Sequence, residues 1–115
     1  MKLNKEVYDK IGETIKAIIN ENNRKSYQGF HYALEIEDDG EGNRLFVEGF
    51  MNIILYFSKK ECGEYCGPYG GEIINVIPIW WDMNVAKWDD ESEEWDNNIE
   101  CDIEWSEIKE RLIEE

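Results

Sequence analysis

Apolar positions near the start of the chain recur at intervals of three and four: Leu3, Val7, Ile11, Ile15, Ile18 and Ile19, with Lys, Glu and Asp filling the places between. That spacing predicts an amphipathic helix from about Lys5 to Asn20. Asn4 is placed to cap it, Leu3 to pack on Tyr8, and the polar run Asn20-Glu21-Asn22-Asn23 to end it. The period then falls to two. Phe30, Tyr32, Leu34 and Ile36 alternate with His31, Ala33, Glu35 and Glu37, as in a strand with one buried face. Asp38 to Asn43 reads as a turn with two glycines, and a long strand follows from about Arg44 to Ser58. In that strand Leu45, Val47, Met51, Ile53, Leu55 and Phe57 share one face, and Phe46, Phe50, Ile54 and Tyr56 the other. Apolar residues on both faces predict a central strand covered on each side, or one whose outer face meets a partner.

The stretch from Glu61 to Gly71 holds four glycines and a proline, which excludes a regular element there. A further strand is expected from Glu72 to about Trp81, continuing bent as far as Trp88, with Pro78 marking an edge or a bulge. Asp89 to Glu94 is a solvated turn. From Trp95 onward Ile99, Cys101, Ile103 and Trp105 alternate with Asn98, Glu100, Asp102 and Glu104, which predicts a last strand with one acidic face. Ser106 is placed to cap a short final helix that turns Ile108 and Leu112 inward. The expected fold is therefore α+β: one domain over residues 1–115, an antiparallel sheet of four or five strands, an N-terminal helix and a short C-terminal helix.

Charge alters this picture. The 115 residues carry 12 Lys and Arg against 27 Asp and Glu, a net charge of −15. Residues 82–115 hold 14 acids and 3 bases, net −11, and all five tryptophans lie between Trp80 and Trp105. A disordered acidic tail lacks such rings, so the region is expected to fold and to display its carboxylates on an aromatic-backed surface. The same charge argues against direct contact with nucleic acid or an anionic membrane. No apolar run approaches the roughly 20 residues of a membrane span, and Met1 to Glu6 has no signal-peptide core, so the expected compartment is the cytoplasm.

Candidate chemistry is sparse. Cys62 and Cys66, with Cys101 and His31, would supply three thiolates and an imidazole to zinc, but two of those four stand alone in the sequence. Three cysteines fit a reducing compartment, and the expectation is free thiols, Cys101 on a core face, and neither metal nor cofactor. His31 has no nucleophile marked out beside it and is expected to be an exposed or packing side chain. Acids are too numerous for any two to be singled out as a catalytic pair. Neither acidic loop follows the alternating ligand pattern of a calcium loop, and Gly67 to Gly71 lacks the Lys and helix of a phosphate loop. No enzyme is expected.

What remains is the acidic row. On an extended strand Asp96, Asn98, Glu100, Asp102 and Glu104 point one way, about 6.8 Å apart. Asp89, Asp90, Glu91, Glu93 and Glu94 would extend it, and Glu107, Glu110, Glu114 and Glu115 would add to it from the helix. Like charges gathered in this way repel one another, and they steer toward a basic groove of the kind nucleic-acid-acting enzymes own. A small, strongly acidic, Trp-rich α+β chain with no active-site motif resembles the accessory proteins of phages and mobile elements. Some of these are anti-restriction or anti-CRISPR proteins that occupy a nuclease's nucleic-acid groove. The resemblance runs along the whole chain in style, rests on no aligned motif, and assigns no residue a role. It implies a non-enzymatic, DNA-mimic-like inhibitor that binds a basic protein surface. The alternatives are a metal- or small-ligand-binding domain built on the Cys62–Cys66 loop, and an oligomer that buries the outer aromatic face of the Arg44 to Ser58 strand.

Overall fold

A computed structural model describes residues 3–58, 72–97, 99 and 101–113. Helix α1 (Lys5–Glu21) is followed by strands β1 (Tyr27–Ile36), β2 (Leu45–Phe57), β3 (Ile73–Asp89) and β4 (Glu94–Asp96), and then by helix α2 (Trp105–Leu112). The strands form one antiparallel sheet in the order β1-β2-β3-β4, which is the expected α+β fold. No helix among the described residues is long and apolar enough to cross a membrane.

The period-3.6 stripe does what its spacing predicts. Val7, Ile11, Ile15 and Ile19 of α1 are buried against one face of the sheet, together with Tyr32, Ile36, Leu45, Val47, Met51, Ile53 and Leu55. The Asn4 side chain accepts from the Val7 amide at 3.1 Å and donates to the Asp39 carbonyl, so the cap also ties the helix start to the β1–β2 turn. At the far end the buried Gln28 side chain donates to the Ile19 and Lys25 carbonyls. Gly49 faces Tyr32 across the β1–β2 ladder, and a Cβ there would lie 2.5 Å from the Tyr32 ring. The glycine is thus the space the ring occupies.

β3 is one continuous strand of 17 residues, longer than the Glu72 to Trp81 core of the expected strand. Its pairing with β2 shifts where Ile53 meets Pro78, so the proline sits at a bulge, as a residue without an amide hydrogen should. Ser58 and Glu72 close the ladder through two hydrogen bonds. Cys62 and Cys66 lie outside the described residues.

Two expectations fail near the C-terminus. The last strand is only Glu94–Asp96, because Ile99, Cys101 and Ile103 pack against the core cluster instead of extending the ladder. Burying those side chains takes the chain off the sheet edge. Helix α2 also begins two residues early, with Glu104 and not Ser106 at its cap position. No side chain of Glu104 caps it; the Glu104 amide donates to the Tyr8 hydroxyl of α1 at 3.0 Å instead. Gly12 lets α2 approach α1, since a Cβ there would lie 2.8 Å from the Arg111 Cβ.

Candidate acidic interface

The sheet register decides where the acids go. Ile36 pairs with Leu45, Leu45 with Lys87, and Lys87 with Asp96. The β1–β2 turn and the β3–β4 hairpin therefore leave the sheet at the same end. One brings Glu37, Asp38 and Glu41, the other Asp89, Asp90, Glu91, Glu93, Glu94 and Asp96, and all nine are exposed. The positive N-terminus of α1 lies beside the β1–β2 turn, because Asn4 bonds the Asp39 carbonyl, and this offsets part of the repulsion within that turn.

Both turns are built by their own aspartates. Asp38 accepts from the Gly40 and Gly42 amides at 2.9 and 3.2 Å, and both glycines hold positive φ, of 92° and 82°. Asp39 is turned inward and is 2% exposed. Burial by itself would raise its pKa, but hydrogen bonds from the Asn43 side chain and from the Glu41 and Asn43 amides outweigh it and hold the carboxyl below its ordinary value. In the hairpin the Asp89 carboxylate accepts from the Glu91 amide at 3.0 Å, and Glu93 takes the left-handed conformation at φ 54°.

Aromatic rings back the hairpin. Trp88 and Trp95 meet edge to face with centroids 5.3 Å apart, Phe46 lies 5.8 Å from Trp95, and the Arg44 guanidinium sits over both indoles. Arg44 also holds Glu35 through its Nε at 2.6 Å. The acids thus stand on a stiff support, with Lys87 set among them across from Asp96. Hollows of about 400 and 380 Å³ lie against the hairpin; Asp89 and Asp96 line both, with Asp90 and Glu91 in the first and Glu94 in the second.

The other expected members separate from this group. Asp102 and Glu104 line a cleft of about 440 Å³ with Lys5, Tyr8, Glu107 and Arg111. Arg111 pairs there with Asp9 at 2.7 Å and with Glu107 at 3.0 Å, so cations are interleaved with these acids and Glu107 is not part of an open row. Asp96 belongs to β4, whereas Asp102 and Glu104 line the cleft beside Lys5 and Arg111, so these three do not stand in one file. Glu100, Asn98, Glu114 and Glu115 lie outside the described residues. Glu37, Asp38 and Glu41 lie some fifty positions from the hairpin in the sequence, and only strand pairing brings the two acidic loops to one end.

The remaining candidates have ordinary surroundings. His31 stacks on Phe50 at 4.5 Å and approaches Glu48 at 3.6 Å on the exposed side of the sheet. Burial pushes the Cys101 thiol up, which disfavours a reactive thiolate. Among the described residues no three His, Cys, Asp or Glu side chains converge as metal ligands would. No protein-family model, no curated protein and no solved structure matches this chain.

Proposed function

We propose that this protein is a non-enzymatic binding module whose acidic end docks into a basic groove of a nucleic-acid-acting enzyme and competes there with nucleic acid. The supporting observation is the convergence of two acidic turns at one end of the sheet through the Ile36–Leu45–Lys87–Asp96 register. Four strands span about 14 Å, so nine exposed carboxylates amount to roughly one charge per 1.6 Å of width, close to the one per about 1.7 Å of duplex axis. The site is a block and not the single file that alternation suggested. A block matches the density of a duplex without needing a longer strand. Asp89, Asp90, Glu91, Glu93, Glu94 and Asp96 carry the contact, joined by Glu37, Asp38 and Glu41.

The test is displacement. A fluorescent 20-base-pair duplex is bound to a restriction endonuclease and, separately, to an RNA-guided nuclease, and the protein is titrated in at 50 and 300 mM NaCl. Release of the duplex that weakens at least tenfold at the higher salt is expected, as is its loss in the variant with Asp89, Asp90, Glu91, Glu93 and Glu94 changed to Asn or Gln. Release that is unchanged by salt or by that variant, or no release from either enzyme, would overturn the proposal.

A further inference from the structure

Among the described residues nothing packs on the face of the sheet turned away from α1, and its large side chains are apolar. Across its middle rows the register aligns His31-Phe50-Asp82, then Gly29-Asn52-Trp80, then Tyr27-Ile54-Ile77. Tyr27, Phe50, Ile77 and Trp80 are all exposed, with Trp80 keeping 52% of its surface. This face carries little of the chain's net charge of −15. Glu35 is held by Arg44, which leaves Glu48, beside His31, and Asp82 at the β3 side.

We infer that a second copy of this chain covers this face, sheet on sheet, to give a twofold dimer. Size favours another sheet. From the Phe50 row to the Tyr56 row, across β1–β3, the face measures roughly 27 Å by 15 Å, about 400 Å² per copy and 800 Å² in all, the size of a weak, reversible interface. A single helix, about 10 Å across, would leave about a third of that width open. Charge selects the orientation. A twofold axis across the strands at the Asn52 row lays Phe50 of one copy on Ile54 of the other and Trp80 on Trp80. It also carries the two acidic ends to opposite poles, as far apart as the molecule allows. Such an interface is isologous and closes on itself, so the association stops at two.

Sedimentation equilibrium of the whole chain from 5 to 300 µM tests this. Each copy is 13.7 kDa, and a concentration-dependent shift to twice that mass is expected. Raising NaCl from 50 to 500 mM should strengthen the dimer severalfold, since salt screens the repulsion between two acidic copies. That is opposite in sign to the salt effect expected at the acidic end, so the two proposals fail separately. Phe50→Ser with Trp80→Ser should weaken dimerisation at least tenfold with an unchanged circular dichroism spectrum, while Glu93→Gln with Glu94→Gln should leave it intact. A monomer at every concentration and salt, or a dimer that survives the Phe50 and Trp80 changes, would overturn the inference.

Discussion

Ile53 and Ile54 are the same residue in adjacent positions of β2, and their surroundings differ completely. Ile53 is wholly buried in the core that α1 completes, whereas Ile54 lies half-buried between Tyr27 and Ile77 on a face that nothing among the described residues covers. The contrast extends along the strand: Leu45, Val47, Met51 and Leu55 are buried on one side, and Phe50 and Tyr56 are exposed on the other. Hydrophobicity alone does not tell these faces apart. What separates them is that the chain has one long amphipathic helix, and one such helix covers one face.

Substitution can break this comparison. Ile53→Ala should cost about 2–5 kcal/mol through the cavity it leaves, while Ile54→Ala in dilute protein should cost less than about 1 kcal/mol. Urea unfolding of both variants at a few micromolar checks it, and equal losses would mean that the two faces are equally covered. Next in size is Gly49→Ala, expected to cost about 1–3 kcal/mol because its Cβ meets the Tyr32 ring at 2.5 Å. Pairing it with Tyr32→Leu should recover part of that loss, which would place the strain on the inner face and not in the backbone of β2.

Asp39, in the turn that joins β1 to β2, gives the next effect. Asp39→Ala should cost roughly 1–2 kcal/mol at pH 7, from the hydrogen bonds its carboxylate accepts. The folded pKa is depressed, so this contribution is complete above the unfolded value near 3.8 and is lost as pH falls through the lower folded value. Unfolding curves of wild type and variant should therefore converge in acid and stay parted at pH 5 and above. The smallest effect is a gain. The Tyr32 hydroxyl is buried with no hydrogen-bond partner among the described residues, so Tyr32→Phe should raise stability by about 1 kcal/mol, read from the same urea curves.

Periodicity made much of this legible. The α1 stripe, the two-faced alternation of β2 and the bulge at Pro78 could all be read from local spacing, because each follows from geometry within a few residues. The last strand could not. Ile99, Cys101 and Ile103 alternate as a strand does, but alternation is satisfied equally by a chain that drops those side chains into a gap in the core. Ser106 does not cap α2 for a related reason: the chain entering the helix is held by the Glu104 amide donating to the Tyr8 hydroxyl, 96 residues away, a contact that no local pattern encodes.

The acidic end shows the same division. From composition alone came a folded, strongly negative chain with its excess in residues 82–115, and from spacing the helix–strands–helix order, since both depend on neighbours in the chain. Which carboxylates stand together depended on strand pairing. The register brought Glu37, Asp38 and Glu41 to the Asp89–Asp96 hairpin and left Asp102 and Glu104 beside Lys5 and Arg111. Charges act through space, whereas a sequence orders them along a line. Only the packed sheet converts one into the other.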